Sequence, residues 1–194
     1  MSRSRKPTTA GHGKDRQVPR PSDRARRHVG PVVSAAHLAA GAMPALSEVE
    51  FALMMTGNAF SRWMTRCMAS AGVVGLAPLE VFLLHTVNHR GREKTLADIC
   101  LVLNIEDTHT VTYALKKLEK RGLVAGGRRG KEKTVSITEA GEQACLRYRE
   151  IREAVLINAL EEVGFDEEEL SRIAAVLRVL SGHYDQAARS AASL

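Results

Sequence analysis

The sequence predicts a mainly helical fold that carries one small β-hairpin and is framed by long amphipathic helices. Three observations predict it. The chain is 44% hydrophobic but only 4% aromatic, and it is rich in Ala, Leu, Glu and Arg, which favour helices over the aromatic and β-branched content of sandwiches and barrels. Apolar residues recur at three- and four-residue spacing through most of the chain after Leu46. One glycine-rich, β-branched interruption lies between Leu123 and Ile137. With 194 residues, one core and a tail are the natural organisation, since domains cluster near roughly 100–150 residues.

Residues 1–40 read as an irregular, disordered tail with room for a short helix near its end: Pro7, Pro19, Pro21 and Pro31 break it, and no apolar period starts before Leu38. The pattern changes at Ser47, where Ser47 and Glu50 have the spacing of a capping box. Val49, Leu53, Phe60, Met64, Cys67 and Ala71 follow on one face, predicting a helix over 47–71 that Gly72 and Gly75 stop. Pro78 suits a first helical turn, and Leu79, Phe82, Leu83 and Val87 continue as a stripe to about 89. Thr95 and Asp98 form a second capping box, ahead of a two-turn helix containing Leu96, Ile99, Cys100 and Leu103. After a tight connection, Asp107 caps a helix whose core face is Val111, Ala114, Leu115 and Leu118, and Gly122 closes it. Leu123 and Val124, then Thr134 to Ile137, flank the basic stretch Gly126 to Lys131 as a hairpin. Thr138 caps a helical region that runs to Val163. A turn at Gly164 to Asp166 leads to Leu170, Ile173, Leu177, Leu180 and Tyr184, with fraying expected after Ala187.

The formal charge of +6 is unevenly placed. Residues 1–40 carry +7, 41–103 balance, 104–134 carry +4 and 135–194 carry −5. Charge in a tail is weak evidence for a polyanionic partner; a local basic patch on a folded element is better evidence. Cys67, Cys100 and Cys145 are odd in number and lie in helical patterns, so the sequence predicts no disulfide framework and a reducing compartment, the cytoplasm. No apolar run reaches the roughly 18–20 residues of a membrane span.

A short helix, a tight turn, a helix with an exposed hydroxyl and basic face, and a basic hairpin, in that order, specify a winged helix-turn-helix over 76–137. The recognition helix is 107–122. With Val111, Leu115 and Leu118 inward, Thr108, His109, Thr110, Thr112, Tyr113 and Lys116 are the groove-facing candidates. Lys116, Lys117, Lys120 and Arg121 are suited to phosphate, as are the amides at the helix start. In the wing, Arg128, Arg129, Lys131 and Lys133 are placed for an adjacent minor groove. The predicted partner is double-stranded DNA.

These residues carry a resemblance to a known family. Leu76 to Leu84 (LAPLEVFLL), Leu118 to Val124 (LEKRGLV) and Ser136 to Gly141 (SITEAG) resemble the MarR family of bacterial regulators, and the likeness extends over roughly 47–185 within a domain of 41–194. It implies a winged-helix homodimer, with dimerisation helices at 47–71 and 138–186. It also implies binding to a pseudo-palindromic operator as a repressor released by a small-molecule effector. The chain departs from the family in a longer turn before the recognition helix and in a shorter wing that lacks the usual Asp-x-Arg tip, so that either Arg128 or Arg129 stands in for the tip arginine. A second reading stays open: a protein-interaction module whose DNA affinity is non-specific and comes from its basic tail.

His85 and His89, four apart on a helix, have chelating spacing but no third ligand, so no metal or other cofactor is expected. Cys67 is read as a core thiol rather than a redox sensor, and Trp63 with Met54, Met55, Met64 and Met68 as core or pocket lining. There is no phosphate loop, HExxH, nucleophile elbow or CxxC pair, and an enzyme is not expected.

Overall fold

The structure, a computed structural model, describes residues 30–194; most of the basic N-terminal stretch lies outside the described residues. The described residues divide into two units, one ending at Leu53 and one spanning Met54–Leu194. In the first, Ala36–Ala39 form a short helix, α1, near the end of the tail, where the sequence leaves room for one. α2 then runs over Pro44–Ser70. It starts earlier than the Ser47–Glu50 spacing predicts, because Pro44 supplies a first-turn residue that needs no amide partner. Ser47 is therefore inside the helix, and its hydroxyl donates to the Leu38 carbonyl at 2.8 Å.

The second unit holds the core. Helix α3 (Pro78–Asn88) is its centre, with Val81, Leu83, Leu84 and Val87 all fully buried. A helix buried on this many sides must be surrounded. Around it pack Met64, Cys67 and Met68 of α2, Ile99 of α4 (Leu96–Leu103), Val111 and Leu118 of α5 (Thr108–Lys120), and Ala144 and Tyr148 of α6 (Glu139–Arg152). Met64 and Met68 thus fill the core, whereas Met54 and Met55 are exposed. A π-helical turn at Glu153–Ile157 joins α6 to α7 (Asn158–Val163). Gly164 takes the left-handed conformation at φ 87° that ends α7, and Asp166 caps α8 (Glu167–Ala191) by accepting from the Glu169 amide. α8 continues to Ala191, past the expected fraying point, because the small residues after Gln186 include strong helix formers.

Three caps match the sequence reading, because each is written within four residues. Thr95 accepts from the Asp98 amide while Asp98 accepts from the Thr95 amide. Asp107 caps α5, and Thr138 accepts from the Gly141 amide. Gly141 has a second duty: a Cβ there would lie 2.1 Å from the Leu123 carbonyl oxygen. Only glycine lets α6 start this close to the residue that leads into β2.

The hairpin is longer than expected. β2 (Val124–Arg129) and β3 (Glu132–Ile137) pair antiparallel from Val124 opposite Ile137 to Arg129 opposite Glu132, so the glycine-rich basic stretch is itself strand and only Gly130 and Lys131 form the tip. A third strand, β1 (Lys94–Thr95), pairs with the other edge of β3, giving the order β1-β3-β2. At two residues it is too short to show a period in the sequence.

Basic side chains close the ends of helices on backbone carbonyls, where the helix dipole favours positive charge. Arg147 Nε donates to the Ala71 carbonyl at 2.7 Å beyond α2. Lys94, only 6% exposed, donates from Nζ to the carbonyls of Val87, His89 and Arg92 at 2.9, 2.6 and 3.1 Å. It thereby ties the end of α3 to β1. Burial, followed by the nearby Arg92 charge, pushes the Lys94 ammonium below its ordinary pKa, and Asp98 pulls it partly back. Among the described residues no helix is long and apolar enough to cross a membrane.

Lys94→Met keeps the volume but strands these carbonyls, and each buried acceptor left unpaired costs about 1–3 kcal/mol. The variant should lose about 2–3 kcal/mol in urea unfolding with an unchanged slope. A loss below about 0.5 kcal/mol would mean that Lys94 is not a structural tie.

Candidate nucleic-acid interface

α5 is amphipathic, and its burial follows from its sequence: Val111, Ala114 and Leu118 are buried while Thr108, His109, Thr110, Tyr113 and Lys116 are exposed and Thr112 is half-buried. The start of the helix differs from the expectation of open amides. Asp107 Oδ1 accepts from the His109 and Thr110 amides at 2.9 and 3.2 Å, so those donors are already engaged. The Thr110 hydroxyl donates to Asp107 Oδ2 at 2.5 Å. That bond and the amide bonds hold the Asp107 carboxyl below its usual range. Thr112 donates its hydroxyl to the Thr108 carbonyl at 2.8 Å, leaving its oxygen only as an acceptor. Among the groove-facing candidates, the side chains of Thr108, His109, Tyr113 and Lys116 are exposed and make no hydrogen bond to Asp107.

The two lysines of the pair Lys116–Lys117 have different surroundings. Lys117 forms an ion pair with Glu80, a carboxylate only 3% exposed that also accepts from the Ala77 amide at 3.0 Å. Its ammonium also stands 5.8 Å from the centre of the Tyr113 ring. Arg121 likewise turns inward, donating from Nη1 to the Val74 carbonyl at 2.6 Å. Both are matched within the fold, although in sequence they belong to the basic patch.

In the wing, side chains two apart share a face of the hairpin. Arg128 lies opposite Lys133, and Arg129 opposite Glu132. Arg128 and Lys133 line a groove of about 680 Å³ whose other wall is Thr112, Leu115, Lys116 and Glu119 of α5. Arg129 is on the other face, 3.5 Å from Glu132. Lys131 is exposed at the tip. The structure therefore brings Lys116, Arg128 and Lys133 together on one groove, and sets Lys117 and Arg129 apart with acidic partners.

A profile for the winged helix DNA-binding domain matches residues 76–141, the span that carries the three sequence motifs. No curated protein matches the chain in sequence. Solved structures do match in fold. AbfR of Staphylococcus epidermidis aligns at 19% identity with a TM-score of 0.60, over 74% of this chain and 94% of that one. A mutant MarR from E. coli, complexed with operator DNA, aligns at 15% identity and TM-score 0.57, over 72% and 98%. CouR from Rhodococcus jostii, bound to p-coumaroyl-CoA, aligns at 14% identity and TM-score 0.54, over 68% and 90%. The chain has the winged-helix fold of the MarR regulators.

Within this MarR-type fold, the side chains that suggest other chemistry are absorbed by packing. Cys67 is buried, its thiol donates to the Tyr148 carbonyl at 3.5 Å, and burial raises its pKa. Burial pushes Cys145 up to about 11 against the pull of Asn88. Neither environment favours the thiolate that redox sensing needs. His85 and His89 do not act together. His85 packs edge-on against Tyr148 at 4.6 Å between ring centres, while His89 is exposed and lends its carbonyl to Lys94. No group of three metal-binding side chains occurs among the described residues. Sequence reasoning missed Glu80 and Lys94, because a lone charge in an amphipathic pattern reads as surface.

Burial lowers the His85 pKa from 6.5. Between that lowered value and 6.5 the unfolded chain binds the proton and the folded chain does not, so this contribution to stability is complete above 6.5 and lost as pH falls below it. His85→Leu should flatten the fall in unfolding free energy as pH drops below 6.5. The carboxylates Asp98 and Asp107, both held below 3.8, act in a lower window. Equal slopes for the two proteins would show that His85 does not report its burial.

Proposed function

We propose that this chain is a sequence-specific transcription regulator that binds a pseudo-palindromic operator in double-stranded DNA as a homodimer. The observation that carries the reading is the meeting of Lys116 with Arg128 and Lys133 across the groove between α5 and the wing. Base reading falls to Thr108, His109, Thr112 and Tyr113, near the helix start, where a recognition helix best enters the major groove. Phosphate contacts fall to Lys116 and Lys120, and the flanking minor groove to Arg128, Lys131 and Lys133. Arg129 and Lys117 are secondary, being engaged with Glu132 and Glu80, and the Thr110 hydroxyl is committed to Asp107. The operator-bound neighbour of the same fold supports this docking.

Dimerisation is supported by apolar surface that one chain leaves uncovered. On α8, Leu170, Ile173, Val176 and Val179 are 43–61% exposed. Burial of such surface is worth about 25 cal/mol per Å², so a second copy has a substantial drive to cover it. A repressor released by a small-molecule effector in the cytoplasm completes the reading, with the ligand-bound Rhodococcus neighbour as precedent. The basic start of the chain adds non-specific affinity.

Selection of bound fragments from random DNA by the full chain should return an inverted repeat with half-sites about one helical turn, roughly 34 Å, apart. Binding that depends on length and salt alone would overturn the reading. Arg128→Ala combined with Lys133→Ala should weaken operator binding and lower the salt slope by about 1 for each phosphate left without its cation, while the protein still sediments as a dimer. Unchanged affinity would remove the wing from the interface.

A further inference from the structure

Beyond the core that the wing shares with the recognition helix, one exposed polar contact joins the two, and its charge is of the wrong sign for a DNA-binding groove. Glu119 stands in the last turn of α5, and its Oε1 accepts from the Gly126 amide of β2 at 3.2 Å. β2 is an edge strand, paired only with β3, so alternate amides along it face away from the sheet and lack a ladder partner. Glu119 takes one of them. A Cβ at position 126 would lie 2.8 Å from the same carboxylate oxygen, so a larger residue there would push the Glu119 side chain off the amide. Arg128 is two residues further along, on the same face of the hairpin, opposite Lys133.

We propose, resting on the DNA-binding reading above, that Glu119 is a positioning residue, which by holding the Gly126 amide sets how far Arg128 and Lys133 stand from the recognition helix. A carboxylate facing a basic groove repels phosphate, so if it acted only through its charge, its removal would improve binding. As a tether it acts through an acceptor oxygen, and its removal frees the wing. Loss of a hydrogen bond of this kind shows in the orientation of the side chains beyond it.

The two roles separate with Glu119→Gln and Glu119→Ala in the full chain. The glutamine amide oxygen still accepts from Gly126 and carries no charge. Glu119→Gln should keep slow hydrogen exchange at the Gly126 amide and bind the selected operator at least as tightly as the unmodified chain. Glu119→Ala should exchange faster at Gly126 and bind the operator about tenfold more weakly, with affinity for unrelated DNA unchanged. Binding that rises equally in both variants would overturn the inference in favour of simple repulsion. If the unmodified chain selects no operator, the DNA reading fails by itself, and exchange at Gly126 still reports on the tether. Equal exchange rates in all three proteins would overturn the tether whatever the DNA result.

Discussion

The arrangement of the winged helix depends on one buried carboxylate. Glu80 lies in the first turn of α3, where it accepts from the Ala77 amide and so caps the helix that every other core element surrounds. Its second oxygen meets Lys117 of α5. A carboxylate 3% exposed has lost almost all of its hydration, and removing Lys117, whose own side chain is 38% exposed, would leave that buried charge without its cation, at a cost of about 3–5 kcal/mol. Such a pair adds little net stability over a well-packed apolar pair, but it tolerates few other arrangements. It fixes the rotation of α5 about its own axis. With Lys117 turned toward α3, Val111, Ala114 and Leu118 fill the core, and Tyr113 and Lys116 can only point away from it.

The same need for matched polar groups governs the ends of the helices. α2 and α3 end within the second unit, where their last carbonyls lack intrahelical donors, and in each case a basic side chain from another element supplies them. Arg147 reaches back from α6 to Ala71 just beyond α2, and Lys94 takes the carbonyls of Val87, His89 and Arg92 at and beyond the end of α3; Arg121 ties the end of α5 to Val74 in the turn between α2 and α3. These long-range caps do what glycine turns alone cannot: they bind a helix end to a particular neighbour. Lys94 has the furthest consequence, because its own backbone forms β1 and pairs with Val135. The inner edge of the wing is thereby held to the core helix, while its outer edge, β2, meets α5.

How much of this was legible in the sequence follows from the range of each interaction. The caps at Thr95, Asp107 and Thr138 were readable, since a hydroxyl or carboxylate and the amides it serves lie within four residues. The core face of α5 was readable from period alone. Glu80, Lys94 and Lys117 were not, because charge in a single sequence signals exposure and their partners lie far away or are carbonyls of no particular residue type. Ser47 misled for a related reason: its spacing to Glu50 fits a cap, but Pro44 begins the helix sooner and the hydroxyl serves Leu38 instead. Of the candidate contact residues, the sequence could name the face but not the commitments. Thr110 turns to Asp107 and Arg129 to Glu132, and neither could be told from Thr108 or Arg128 by type.

These commitments change what the charge of the segment means. Residues 104–134 hold eight Lys or Arg against four acids, a modest excess spread over helix and hairpin. Lys117, Arg121 and Arg129 are matched within the fold, and Asp107 directs its charge to the start of its own helix. What stays outward is concentrated: Lys116 and Lys120 on α5, and Arg128, Lys131 and Lys133 on the wing. Coulomb interactions with a polyanion fall off over about 8 Å in physiological salt, so a few charges sharing one groove do more than the same number scattered. The buried pair and the caps sort the charge of the segment. They withdraw the cations that lie on the wrong face, and the residual field points where α5 and the wing open together.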